Sequence, residues 1–428
     1  MGLLKDLGDL VQAGVIPTET ADAIRAYYDD RRRQSPNRVI LLFSIIGSLL
    51  TGLGILFILA HNWDQFSRLT KSVLAFVPLL LCQALCAYTL LRKSDHSAWR
   101  ESASSLLVFA VGGCMSLIAQ IFHLSGSLSD FLLTWCLLSI PLVYIMRSSV
   151  TSLLVLAGAS LYVLQSLNTP ENRDNWMGYL LLLAGLAPHY RSLLLSNKDQ
   201  PLVSQHHWGV SLSLILFLVS LGNQYDAFLS PAFFGLFASY SLIGGLQPFK
   251  KHSYFARAFP VLGYAGTAFL LFELSFEGFW DKLPEKNLWQ TSALISPESL
   301  AAFASIAIAV WLLYKRLLVE SPRNLHPVKY LFVPFVWCFG LGMFFNISST
   351  AVSFLMIGLG IYEIASGLRN NKLAGVNGGL VLLAFAIGAR LLDYDLSFIA
   401  KGILFVLLGI GFFLVNYRIL KNSQRHEF

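Results

Sequence analysis

Charge is scarce in this sequence. Asp, Glu, Lys and Arg make up 13% of 428 residues, against about 25% in a soluble domain. So few charges leave too little polar surface to cover a water-soluble globule. Catalytic signatures are also missing: there is no P-loop, no HExxH, no GxSxG and no dinucleotide-binding glycine fingerprint. This weighs against an enzyme and implies no cofactor. Disulfide chemistry is excluded as a scaffold, because Cys82, Cys86, Cys114, Cys136 and Cys338 lie inside apolar runs and form no CxxC pair. They read as small buried hydrophobes. No cleavable signal peptide is visible; the first apolar run begins near Val39, after a charged segment, and reads as a retained anchor helix. The net charge of +7 is spread among short loops and does not form a nucleic-acid-binding patch.

What remains is apolar. The hydrophobic share is 55% and the mean hydropathy +0.62. The apolar residues come in long runs, not in the short alternating stretches of a membrane barrel. A bilayer core about 30 Å thick needs about 20 apolar residues per spanning helix, and helices are required because lipid offers no partner to backbone N–H and C=O groups. The expectation is an all-α polytopic transmembrane bundle of about 14 spans, at 39–60, 72–91, 102–123, 131–146, 149–167, 176–195, 208–224, 229–248, 255–276, 298–318, 329–346, 350–368, 373–391 and 398–417. The span at 208–224 is the weakest.

Basic residues orient it. Of 31 Lys and Arg, only Arg68, Lys71, Arg173, Lys282, Lys286, Arg390 and Lys401 fall on one set of alternate connections. The other set, with both chain ends, holds the remaining 24. By the positive-inside rule both termini are cytoplasmic. Residues 1–38 read as a separate cytosolic helical hairpin, preceding a transmembrane domain of 39–428. Leu3, Leu7, Leu10 and Val11 recur at helical spacing, Gly14 breaks the pattern, and Pro17 and Thr18 open a second helix whose Ala21, Ile24 and Tyr28 share a face. Within it, residues 1–33 offer a docking element for a cytosolic or membrane protein partner; a solvated lead-in whose arginines set topology is the plainer alternative.

Glycines such as Gly47, Gly52, Gly54, Gly375, Gly378 and Gly379 sit inside spans, where small residues let helices approach closely. The polar residues are more informative. The first span ends in His61, Asn62, Trp63 and Asp64; the third in Gln120 and His123, three apart and so on one face; the ninth in Glu273 and Glu277; the thirteenth in Arg390 and Asp393. Under the orientation above all lie at outer ends. Ionisable groups at membrane depth are costly and tend to pair or to line a wet cavity. His61, Asn62, Trp63, Asp64, Gln120, His123, Arg390 and Asp393 are therefore candidates for a periplasm-facing substrate cavity, with Arg390 suited to a phosphate or carboxylate. Separate interfacial anchoring, with Trp63 in an aromatic belt, is the alternative. Glu273 and Glu363 are weaker candidates for proton coupling, Glu363 with the alternative of pairing with Arg369 or a neighbouring basic loop. The histidine spacing is not diagnostic of a metal site.

The stretch from Gly47 to Asp64, GSLLTGLGILFILAHNWD, resembles the opening of the prokaryotic membrane-protein family called domain of unknown function 2157. So do Leu117 to His123 with Trp135 and Pro141, and the lead-in from Leu10 to Pro17 and from Ala23 to Tyr28. The resemblance covers roughly residues 1–150. It implies a multi-pass protein of a bacterial inner membrane and no assigned activity. Many spans, short loops and no soluble catalytic domain suit a transporter or flippase for an amphipathic or lipid-linked substrate. A non-catalytic assembly partner and a membrane-embedded transferase acting at the periplasmic face are the other readings.

Overall fold

The computed structural model describes residues 11, 13–24, 63–165, 175–195, 201–222, 224–246, 257–283, 288–321, 325–345, 348–370, 372–393, 397–406, 409–411 and 413. The chain divides into two compact units, residues 1–74 and 75–428. In the first, Gly14 turns the chain in the left-handed region at φ +66°, and residues 18–24 are helical behind Pro17, whose carbonyl accepts the Thr20 and Ala21 N–H groups. The border expected at 38/39 and the span expected at 39–60 lie outside the described residues. Trp63–Gln65 forms a 3-10 turn, and the Lys71 ammonium lies 5.7 Å from the Trp63 ring centre.

Among the described residues no strand occurs. The principal helices are α1 (Arg68–Arg92), α2 (Ser97–Phe122), α3 (Leu128–Ile145), α4 (Ser149–Leu164), α5 (Asn175–Leu195), α6 (Pro201–Ser220), α7 (Leu229–Ile243), α8 (Ala258–Glu273), α9 (Glu277–Asp281), α10 (Thr291–Leu294), α11 (Pro297–Leu317), α12 (Phe332–Gly342), α13 (Ser348–Arg369) and α14 (Leu373–Asp393). Helical structure resumes at residues 398–406. Their starts are local chemistry. Ser127 and Asp130 form a reciprocal capping box on α3. Ser148 caps α4 by accepting the Thr151 N–H, and Ser296 caps α11 ahead of Pro297. The helix expected at 208–224 covers Pro201–Ser220 instead, because a proline is favoured in a first helical turn.

Among the described residues, eight helices are long and apolar enough to cross a membrane: α1, α2, α3, α6 from Leu202, α7 with its lead-in turn, α11, α13 and α14. The shorter apolar α4, α8 and α12 also stand at expected spans; the 16 residues of α4 reach about 24 Å at 1.5 Å per residue. The structure thus gives a polytopic helix bundle with eight candidate crossings, and the count of about 14 is not established by it. Large apolar side chains face outward along these helices, Leu81 at 66% and Leu91 at 82% exposure among them. Soluble monomers rarely show such continuous apolar surface, whereas a bilayer requires it.

Unit two has three apolar cores. The largest surrounds α7, which is buried on nearly every side and packs on α11, α8, α12 and α6; Phe234 stacks on Phe335 at 3.8 Å. A second lies among α3 to α6, and a third holds Cys86, Ala103, Leu107 and Met146 of α1 to α3. Residues 277–283 contribute to the fold. Trp280 is 1% exposed, belongs to the largest core and donates its indole N–H to the Leu274 carbonyl at 2.8 Å.

Candidate functional site

Helices α8 and α14 carry complementary stripes. Tyr264, Ala265, Ala268, Phe269 and Phe272 recur at helical spacing on one, and Asn377, Gly378, Val381, Leu382 and Phe385 on the other. Alanine and glycine leave room where larger side chains would close the interface. The result is a cavity of about 550 Å³. Its lining is apolar apart from the Asn377 amide and the Tyr264 hydroxyl. Phe269 is 62% exposed and Phe385 50%, so the cavity is a groove open at its side.

Both ends of the groove carry charge. Phe272 packs on Phe385 and on Phe276, and Glu277 follows directly. Arg390 stands five residues beyond Phe385, about 7.5 Å along the helix axis. Its Nη1 lies 3.4 Å from Glu277 Oε1 and its Nη2 3.4 Å from Asp393 Oδ2. Asp393 also accepts the Glu277 N–H at 3.3 Å. The approach to Asp393 is a charge contact and not a directed hydrogen bond. Arg390 Nε and Nη2, which together form the side-on edge of the guanidinium, are shut off from solvent without a hydrogen-bond acceptor among the described residues. That edge has the geometry that binds two oxygens of a carboxylate or phosphate.

Towards the other end, His326 Nε2 lies 2.8 Å from Glu363 Oε1, off the hydrogen-bond direction. The imidazole is held edge-on between Tyr362 at 5.2 Å and Tyr264 at 6.2 Å. Glu363 therefore pairs with the basic loop between α11 and α12 and not with Arg369. From Gly378 to Phe385 the lined part of α14 rises about 10 Å, and the histidine–glutamate pair and the arginine–carboxylate cluster lie beyond that lining, one towards each end.

The other residues singled out in the sequence are placed differently. His61 and Asn62 lie outside the described residues. Trp63 and Asp64 belong to the 3-10 turn of the first unit. Gln120 and His123 end α2 and are exposed. His123 is the helix C-cap, in the left-handed conformation at φ 51°, with the Leu124 N–H returning to Ala119 at 2.9 Å. Glu273 is exposed at the end of α8. Helix α2 packs on α3 and α4, whereas α14 packs on α13 and α8. The grouping of Arg390 and Asp393 includes Glu277, another outer-end residue.

Residues 8–152 match the family of predicted membrane proteins DUF2157. Its matched segment takes in α1 to α3 and the start of α4, while the groove lies beyond it. No curated protein and no solved structure matches the chain. Inside the DUF2157 segment, Glu101 escaped sequence reasoning. Its carboxylate accepts the Ser148 hydroxyl and the Ser149 and Val150 N–H groups, both at 2.9 Å, and so caps α4 from α2. Beyond that segment, His189, Tyr190, His206 and His207 also went unread; imidazoles within apolar runs were the available signal.

Proposed function

We propose that this membrane protein binds an amphipathic molecule carrying a phosphate or carboxylate and moves it between the two faces of the bilayer, as a transporter or flippase does. The supporting observation is that the side-on edge of Arg390, ion-paired with Asp393 but without a directed hydrogen bond among the described residues, lies beyond the Phe385 end of an apolar groove open to the side. Hydrocarbon would occupy the groove, and two anionic oxygens would take the Nε and Nη2 donors. Glu277 and Asp393 place negative charge beside that anion, which favours a head group that also bears an ammonium. The lysine and arginine alternation puts this end at the periplasmic face of a bacterial inner membrane.

The test is lipid retention and movement. Native mass spectrometry of the protein extracted from its membrane would show a bound phospholipid, and proteoliposomes would accelerate flip-flop of a labelled phospholipid. Ala268→Trp fills the groove and Arg390→Gln removes the charge. Each should reduce retention and flip-flop about tenfold or more, the worth of a charge-assisted hydrogen bond. Wild-type protein that carries no lipid, or variants that move lipid as wild type does, would refute the proposal.

A further inference from the structure

The hairpin of α5 and α6 buries a cluster unrelated to the groove. His189 on α5 is 8% exposed and His206 on α6 is 1% exposed. Their ring centres are 6.0 Å apart. Tyr190 stacks on His206 at 6.3 Å. Such groups inside apolar helices need a partner, since native structures leave few buried polar atoms unsatisfied.

The tautomer of His206 follows from its surroundings. Its Nδ1 lies 2.8 Å from the Leu202 carbonyl. A carbonyl only accepts, so Nδ1 carries the hydrogen and the Nε2 of the neutral ring is an acceptor. That Nε2, the His189 Nε2 and the Tyr190 hydroxyl are all closed to solvent, and none has a hydrogen-bond partner among the described residues. The donor set is poor for a metal: no group of three His, Cys, Asp or Glu among the described residues could hold one, whereas zinc takes three or four such ligands. It is well matched to water, which binds where two to four polar atoms converge.

Counter-charge is present. The Glu101 carboxylate, fixed at the start of α4, lies within electrostatic range of both His189 and His206, although the burial of the two rings opposes a charge on them more strongly. Among the described residues, the other ring neighbours are tyrosines, a third histidine and a phenylalanine. Tyr144 of α3 faces His189, and His207 of α6 meets Tyr190 and Phe259 of α8. Tyr240 of α7 lies within electrostatic reach of Tyr190, and α4 presents Leu153 and Leu156 to α6 at Gly209.

We propose that His189, His206 and Tyr190 form an internal proton-binding site, in which a water bridges the two Nε2 atoms and one proton taken from bulk water is shared by both imidazoles opposite Glu101. Binding puts one positive charge on the imidazole pair within electrostatic range of the still ionised Glu101, and release returns the proton to water. The site stands independently of the groove.

Histidine-selective ¹⁵N spectra of the full chain in nanodiscs test it. Between about pH 4 and pH 9, the range in which imidazoles titrate, the two rings should gain one proton in a single coupled step, with an exchangeable water signal at both Nε2 atoms. His189→Gln should shift the midpoint of His206, and His206→Gln that of His189, while exposed His96 and His123 stay unchanged. His206 remaining neutral with hydrogen on Nδ1 throughout this range in wild-type protein would overturn the proposal, with no variant needed. So would His206 titrating identically with and without His189.

Discussion

Adding one methyl group at Gly379 should loosen the membrane bundle, while the same change at its neighbour Gly378 should not. A Cβ at Gly379 would lie 2.5 Å from the Gly360 carbonyl oxygen, 2.8 Å from Ile364 Cγ1 and 2.9 Å from Glu363 Cβ. The closest of these is backbone and cannot swing away, so α13 and α14 must separate. Overpacking of this kind costs about 1–3 kcal/mol. Alanine returns about 0.5–1 kcal/mol of helix propensity, leaving Gly379→Ala destabilised by up to about 2.5 kcal/mol. At Gly378 the nearest neighbour of a Cβ is the Tyr264 hydroxyl at 3.9 Å, an ordinary contact, so Gly378→Ala keeps the propensity gain. Thermal melting of detergent-solubilised protein, followed by size-exclusion chromatography, should rank Gly378→Ala at or above wild type and Gly379→Ala below it. Gly360→Ala presses on the same contact from the other side, with its Cβ 3.0 Å from the Gly379 oxygen. The double variant should therefore cost less than the sum of the singles, because the helices separate only once. Gly379→Ala melting at or above wild type would refute the close-packing argument.

Two more outcomes follow from groups outside the groove. Glu101→Gln keeps the shape but removes the charge that accepts the Ser149 and Val150 N–H groups; it should cost about 1–3 kcal/mol, and an unchanged melting temperature would show that the cap is idle. Lys329, half-buried beside Arg316, has its ammonium pKa held below the usual lysine value of 10.5 by burial first and by Arg316 second, against the opposing pull of Glu320. With the folded pKa lowered, the unfolded chain binds more protons between that pKa and 10.5, so stability should rise with pH across this window. Lys329→Met should remove this part of the slope in melting temperature against pH, and an unaltered slope would refute the assignment.

Membrane character and helix positions were legible in the sequence because both depend on composition and local periodicity. A run of about 20 apolar residues has few options in lipid other than a helix, and Gly14 and Pro17 act on backbone within a few residues of themselves. The small residues Gly378 and Gly379 were likewise visible as packing positions, although only the structure distinguishes the open face of one from the closed contact of the other. Pairings across the bundle were not legible. Arg390 meets Glu277 across 113 residues of sequence, and Glu363 selects His326 over nearby Arg369, because helix rotation and neighbour choice decide which face meets which. The same holds for the groove, which exists only because the Ala265 and Ala268 side of α8 faces Gly378 of α14. It holds again for His189 and His206, which read singly as polar residues in apolar runs and acquire a shared chemistry only when the α5–α6 hairpin brings their rings to 6.0 Å. Short-range sterics and hydropathy act along the chain, whereas charge pairing, cavities and shared protons depend on distances that only packing sets.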